Sequence, residues 1–218
     1  MTKTESQNVF FDLDGTLTDP KIGITRSIQY ALEKFAVEVP SIDELTWCIG
    51  PPLLENFEKL LDIERAPDGV RYYRERFATV GLYENVPYPR IQELLGQLRE
   101  AGIRLFVASS KPEVFVRKIL EHFKLIDFFE EVFASELDGA RSDKTDLLGY
   151  AIEQTGVDPK QATMIGDRKH DIIGAHNNQL SSIGVLYGYG SREELESAGA
   201  NRLAASPDEL AVMLLGGP

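Results

Sequence analysis

Two aspartates, Asp12 and Asp14, straddle Leu13 directly after the apolar run Val9-Phe10-Phe11. A third, Asp167, follows the apolar run 162–165, and Ser109 and Ser110 follow the apolar run 103–108. Lys144 opens a helical pattern ahead of the Asp167 run. Carboxylates brought together away from bulk water repel one another unless a cation or a cationic side chain joins them. A few carboxylate oxygens, completed to an octahedron by water and phosphate oxygens, make the donor set of Mg²⁺. The plain reading of Asp14-Gly15 is a tight turn, since both residue types favour turns. Two aspartates closing a buried strand, matched by a third downstream, weigh instead toward a metal site with acid–base chemistry.

These residues must be carried to one place. Val9-Phe10-Phe11 reads as a buried strand running into the turn at Asp14-Gly15. Ile24, Ile28, Ala31, Leu32 and Phe35 then recur at helical spacing, and Ser41 with Glu44 forms a capping-box pattern. A second helix is predicted after Pro51-Pro52 with Leu53, Leu54, Phe57, Leu60 and Leu61 on one face, and a third with Val70, Tyr73, Phe77 and Val80. No strand is predicted between about residues 18 and 87. Beyond that point helices over 91–101, 112–123, 144–154 and 169–177 alternate with strands over 103–108, 131–134, 162–165 and 182–186. A short strand near Leu203, a helix capped by Ser206 with Glu209, and a frayed tail at Gly216-Gly217-Pro218 close the chain. Such alternation implies an α/β parallel sheet with helices on both faces, interrupted after its first strand by an inserted all-helical segment. In open parallel sheets the active crevice lies at the carboxyl ends of the strands, which is where Asp12, Asp14, Ser109, Ser110 and Asp167 stand.

Composition narrows the partners. The chain of 218 residues is 43% hydrophobic and 27% charged, so it has a core to build and room for one or two domains. Its formal charge of −12 opposes the phosphate attraction used by nucleic-acid binders, so no nucleic-acid polymer is expected. No apolar run reaches the ~20 residues of a membrane span, and residues 1–8 lack a signal-peptide pattern. The single cysteine, Cys48, forms no internal disulfide and reads as a packed small hydrophobe. Together these features predict a cytoplasmic protein without a membrane partner. His122, His170 and His176 have no zinc-ligand spacing.

The run Phe10-Phe11-Asp12-Leu13-Asp14-Gly15-Thr16-Leu17 resembles the first motif of the haloacid dehalogenase superfamily. Ser109 stands where the second motif has Ser or Thr, Lys144 where the third has Lys, and Gly166-Asp167-Arg168-Lys169-His170-Asp171 resembles the fourth, GDxxxD. The resemblance covers nearly the whole chain and is nearest the phosphoglycolate phosphatase-like and bacterial 5'-nucleotidase branch. It implies a Rossmann-like core over 1–17 and 88–218 and a small helical cap over 18–87. It also implies a Mg²⁺-dependent phosphoric monoester hydrolase acting on a small phosphorylated metabolite, phosphoglycolate or, alternatively, a nucleoside 5'-monophosphate. Asp12 would be the nucleophile and Asp14 the general acid and base. Asp12, Asp167, Asp171 and the backbone carbonyl of Asp14 would serve the metal, and Ser109 and Lys144 would bind phosphate.

Competing assignments stand beside these. Ser110 rivals Ser109, and Lys111 rivals Lys144, an exposed lysine being the ordinary reading of either. Asp167 and Asp171 also suit helix capping. Gly50 and Pro51, in the stiff loop 47–52, and Arg26 are candidates for substrate specificity, and Trp47, Tyr83 or Asn56 for a shelf under a nucleobase. A dehalogenase would need neither Asp14 nor the metal, a sugar-phosphate mutase would keep every motif, and a non-catalytic binding protein would be expected to have lost a carboxylate. The chain departs from the branch pattern at Arg90 and Gln179, where glycine is usual at or near those positions, which bears on loop geometry rather than chemistry.

Overall fold

The computed structural model describes residues 8–216, so the readings of residues 1–7 and of Gly217 and Pro218 lie outside the described residues. In chain order the regular elements are β1 (Asn8–Phe11), β2 (Thr18–Asp19), α1 (Lys21–Glu33), α2 (Leu53–Leu60), α3 (Ala66–Phe77), β3 (Val86–Pro87) and α4 (Ile91–Glu100). Then come β4 (Arg104–Pro112), α5 (Glu113–His122), β5 (Glu131–Ser135), α6 (Lys144–Thr155), β6 (Ala162–Gly166) and α7 (Lys169–Asn177). The series ends with β7 (Ser181–Val185), α8 (Arg192–Ser197), β8 (Arg202–Ala204) and α9 (Pro207–Leu215). Two compact units emerge: Met1–Thr18 with Pro87–Pro218, and Asp19–Val86. None of the described helices is long and apolar enough to cross a membrane.

The first unit is a six-stranded sheet of order β5-β4-β1-β6-β7-β8, parallel at every pairing and flanked by helices. β1 is buried at all of its residues because both of its faces are covered, which is why it reads as a continuous apolar run and not as alternation. Phe10 stacks on Phe106 with ring centroids 4.9 Å apart, while Phe11 meets Phe129 edge-on at 6.2 Å. Phe10 and Phe106 belong to a core shared with Phe133, Leu147, Leu148, Met164 and Ala175.

Register then places the polar residues. Phe11 pairs with Val107 of β4 and with Ile165 of β6. Asp12 therefore leaves the sheet one residue beyond the pairing, Ser109 two beyond Val107, and Asp167 two beyond Ile165. Because β1 has β4 on one side and β6 on the other, its carboxyl end is the switch point where a crevice opens.

The second unit packs α1 and α3 together with α2, and buries Ile28, Leu32, Leu45, Phe57, Tyr73, Phe77 and Leu82. Its core is narrower than the predicted faces. On α2 only Asn56 and Phe57 are buried and Leu54 is 46% exposed; beyond α3, Val80 is exposed as well. A unit of this size has too little interior to cover every apolar position of a helical stripe. Ser41 and Glu44 do form the reciprocal capping bonds, with Ser41 N–H donating to Glu44 Oε2 and Glu44 N–H to Ser41 Oγ. They close a turn leading to a short 3₁₀ segment, Thr46–Cys48, and not an α-helix. Arg76 grips Glu84 with both guanidinium nitrogens at 2.7 and 3.0 Å, and Arg26 adds a third contact at 3.0 Å.

The two departures noted in the sequence have a backbone explanation. Arg90 and Gln179 both sit at positive φ, +71° and +63°. A left-handed position is where glycine is least strained, and both residues occupy it regardless.

Candidate active site

Asp12, Asp167 and Asp171 each place a carboxylate oxygen within 4.8 Å of the other two, and all three residues are buried. Their elements explain the meeting. Asp12 follows β1, Asp167 follows β6, and Asp171 lies in the first turn of α7, where its Oδ2 accepts the Arg168 N–H at 3.1 Å. The capping role and the site role of Asp171 thus coexist on different oxygens, since its Oδ1 lies 2.8 Å from Lys144 Nζ. Lys144 opens α6, is 4% exposed, and also lies 3.2 Å from Asp12 Oδ1 and donates to the Ala108 carbonyl at 2.8 Å. Two glycines make room: a Cβ at Gly166 would lie 2.1 Å from the Asp171 carboxyl carbon, and one at Gly174 would lie 2.9 Å from Lys144 Cγ.

Three carboxylates against one ammonium leave two negative charges if all are ionised, the deficit a divalent cation fills. Asp167 Oδ1 is buried and makes no hydrogen bond among the described residues. Burial, then the charges of Asp171 and Asp12, raise the Asp167 pKa well above the ordinary carboxylate range. Burial likewise pushes Asp171 up to about 6, against the pull of Lys144. Burial works against the Lys144 ammonium, but Asp12 and Asp171 outweigh it and its pKa is raised. Hard oxygen donors, an unpartnered oxygen and unmet negative charge all fit a cation of the Mg²⁺ type.

Asp14 is not part of that cluster by its side chain. Its Oδ2 pairs with Lys111 Nζ at 2.5 Å, and both side chains are largely buried. Burial raises its pKa, with Lys111 opposing. Lys111 is therefore no exposed lysine, and neither is Lys144; the two serve different carboxylates. Ser109 is buried and its hydroxyl accepts the Lys111 N–H at 3.4 Å, whereas Ser110 is half-buried and its carbonyl accepts from Ser135 Oγ.

Of the residues singled out in the second unit, Arg26 has its guanidinium on Glu84 and Gly50 sits at positive φ, +103°, beside Pro51. Asn56 is buried and donates to the Cys48 carbonyl at 2.8 Å, so it ties down the loop 47–52 and is not an open shelf. Trp47 and Tyr83 are exposed. Burial pushes the Cys48 thiol up to about 12, in keeping with a packing role. Arg168 is bound to Glu194 at 2.9 Å.

The strand predicted over 182–186 ends one residue early, at Val185, and nothing was assigned to Tyr187-Gly188-Tyr189-Gly190 in the loop that follows. Tyr189 N–H donates to Asp167 Oδ2 at 2.8 Å. A Cβ at Gly190 would lie 1.9 Å from the Asp167 carbonyl oxygen, and one at Gly188 2.4 Å from Asp167 Cβ. Its available signal was position, at the carboxyl end of a further parallel strand with two glycines in alternation.

A family model described as haloacid dehalogenase-like hydrolase matches residues 9–185. The chain is 46% identical over 192 residues, 87% of each chain, to a 5'-nucleotidase of Pseudomonas aeruginosa. It is 37% identical over 206 residues to a tyrosine-protein kinase of Mycobacterium tuberculosis, covering 94% of this chain and 71% of that one. Phosphoglycolate phosphatase of Colwellia psychrerythraea is 27% identical over 224 residues, 98% of this chain and 99% of that one. Among solved structures, a predicted phosphatase from Clostridium acetobutylicum superposes with a TM-score of 0.93 at 47% identity, covering 96% of this chain and 98% of that one.

Proposed function

The chain belongs to the haloacid dehalogenase-like hydrolase family, and from that premise we propose that it hydrolyses small phosphomonoesters with Asp12 as nucleophile. The observation that carries this reading is the buried cluster of Asp12, Asp167 and Asp171 with Lys144 among them and one Asp167 oxygen left unpartnered. Asp12, Asp167, Asp171 and the Asp14 backbone carbonyl would hold Mg²⁺, which would neutralise phosphate oxygens that otherwise repel the nucleophile.

In the first half-reaction an Asp12 carboxylate oxygen attacks phosphorus, the bond to the alcohol oxygen breaks, and an aspartyl-phosphate forms. Asp14 gives the leaving oxygen its proton; burial raises its pKa and so favours the protonated form this step needs. In the second half-reaction Asp14 takes a proton from the water that attacks phosphorus, which frees Asp12 and inorganic phosphate. Lys111, against Asp14 Oδ2, favours the ionised form that this second step needs. Ser109 donates a hydrogen bond to the transferred group, with Ser110 next to it along β4, and Lys144 offsets charge on Asp12 and the phosphoryl oxygens.

We assign the second unit the role of a cap that selects the leaving group, with Gly50, Pro51 and Arg26 as its candidate residues. Use of Arg26 for an anionic substrate group would come at the expense of its pair with Glu84. Nucleoside 5'-monophosphates are the first substrate class, supported by the 46% identity to a 5'-nucleotidase and by two exposed aromatic rings, Trp47 and Tyr83, in that unit. Phosphoglycolate is the second, supported by relatives that span nearly the whole chain at 27% identity.

Phosphate release from a panel of nucleoside monophosphates, phosphoglycolate and sugar phosphates tests the reading. Turnover should require a divalent cation and vanish in Asp12→Asn; undiminished turnover in that variant overturns the assignment. Phosphoryl transfer back to a sugar phosphate or onto a tyrosine, with none to water, would replace hydrolysis by a transferase activity.

A further inference from the structure

We propose that Tyr187 is a positioning residue for this reaction: its hydroxyl holds the turn that carries Asp14, while the loop it belongs to seats Asp167. This rests on the hydrolase reading given above and adds a residue to it.

The turn after β1 is organised around one acceptor. The Leu13 carbonyl receives the N–H groups of Thr16, Leu17 and Thr18 at 3.3, 2.9 and 3.0 Å, and Gly15 N–H donates to the Thr18 carbonyl at 2.8 Å. These bonds fix the turn internally but tie it to nothing outside. The Thr16 carbonyl receives the Tyr187 hydroxyl at 3.2 Å, a bond that spans 171 residues of sequence. Tyr187 is in turn held by the edge of Tyr88, with ring centroids 4.9 Å apart, and Tyr88 N–H donates to the Leu17 carbonyl at 3.1 Å. Two neighbouring carbonyls of the turn are thereby gripped by two tyrosines in edge-to-face contact, one through its hydroxyl and one through its backbone N–H.

The rest of the loop clamps the same turn against Asp167. A Cβ at Gly188 would meet the Gly15 carbonyl oxygen at 2.3 Å, and a Cβ at Gly15 would meet Asp167 Oδ2 at 2.2 Å. Tyr189 N–H binds that same Oδ2. The loop between Tyr187 and Gly190 therefore touches the Asp14 turn and the Asp167 loop together, and it sets their separation. Nucleophilic displacement is sensitive to sub-ångström placement of acid and nucleophile, so a tether two residues from Asp14 acts on turnover more than on binding.

The experiment compares Tyr187→Phe with Tyr187→Leu. The Phe variant keeps the ring against Tyr88 and deletes only the hydroxyl; the Leu variant deletes both. The expected result is a fall of roughly tenfold in kcat for Tyr187→Phe, with KM within about twofold of the parent, and a larger fall for Tyr187→Leu. Full recovery of kcat by the Phe variant relative to Leu would mean that the ring alone matters and would overturn the assignment. Hydrogen–deuterium exchange of the peptide spanning residues 13–18, measured on the resting protein, should speed up in Tyr187→Phe while peptides from β4 and β6 exchange as in the parent. Unchanged exchange over 13–18 would also overturn it. This second readout needs no substrate: a parent protein that hydrolyses nothing refutes the hydrolase reading, while the exchange result still reports whether the hydroxyl holds the turn.

Discussion

Replacing Lys144 by methionine removes one charge from the centre of the carboxylate cluster at nearly constant volume. At an effective dielectric of ~20, the contacts at 2.8 Å to Asp171 and 3.2 Å to Asp12 amount to roughly 6 and 5 kcal/mol of gross attraction. The three carboxylate pairs, each within 4.8 Å, repel by at least roughly 3.5 kcal/mol apiece on the same scale, close to 10 in all. Lys144 therefore about balances the cluster, and after desolvation its loss should cost about 3–5 kcal/mol near pH 8, the range for breaking a buried pair. For a chain of this size that is a drop of about 6–20 °C in the thermal midpoint.

The same deficit should depend on pH in a set direction. Asp171 and Asp167 have folded pKa values above their unfolded ones, Asp171 at about 6 even with Lys144 present. A carboxyl with a raised folded pKa contributes stability that is complete below its unfolded value and is lost as pH rises through the folded one. Without Lys144 those carboxyls rise further, so the loss should be small near pH 4–5 and grow toward pH 8. Millimolar Mg²⁺ should narrow the gap, because the variant offers a cation one more uncompensated charge. Thermal melts of parent and Lys144→Met at pH 5 and 8, with and without Mg²⁺, read all of this, and phosphate release should fall about 10²–10³-fold. A deficit that is absent, or equal at both pH values, would refute the electrostatic role.

Other residues give independent tests. Gly188→Ala drives a methyl between the Gly15 carbonyl and Asp167 and should cost about 1–3 kcal/mol in denaturant melts, with a loss of roughly 10²-fold in kcat. Gln179→Gly relieves a left-handed backbone and should stabilise the fold by about 0.5–1 kcal/mol at unchanged activity; a loss of stability would show that the side chain outweighs its strain. Glu84, which Arg76 holds below its ordinary pKa, contributes stability above the unfolded carboxyl value that is lost as pH falls through the folded one. Glu84→Gln should therefore cost about 1–3 kcal/mol at pH 7 and much less near pH 3, as urea titrations at the two pH values would show.

What the sequence disclosed follows from which forces write themselves into residue type. β1 was legible because burial on both faces demands an unbroken apolar run, Asp12 and Asp167 because acids at the ends of buried strands stand out, and Asp171 only through the resemblance to GDxxxD. Lys111 was misread, since nothing in a lysine after two serines reports that its ammonium turns inward to Asp14. The face of α2 was overdrawn, because periodicity states which positions can be buried and not how much interior exists to receive them. α8 escaped notice although Ser191 caps it through the Glu194 N–H, the pattern that was noticed at Ser206. The loop 187–190 was silent because it works through a backbone N–H, the absence of two side chains and one phenol, none of which titrates near neutrality.

That silence bears on how the site is built. Folding has to bring together and desolvate carboxylates that repel one another, and Lys144 about balances the repulsion but not the cost of desolvation. The remainder must be held by parts that do not yield: a parallel sheet buried on both faces behind Asp12, and glycine-lined turns so close that a single methyl would not fit beside Asp167. Rigidity and charge therefore have separate sources in this chain. Removing charge, as in Asp167→Asn, should stabilise the metal-free protein while abolishing turnover, whereas loosening the frame, as in Gly188→Ala, should lower both. A protein whose acids were merely capping helices would lose stability in the first case, so opposite signs for these two variants separate a site from an ordinary set of helix caps.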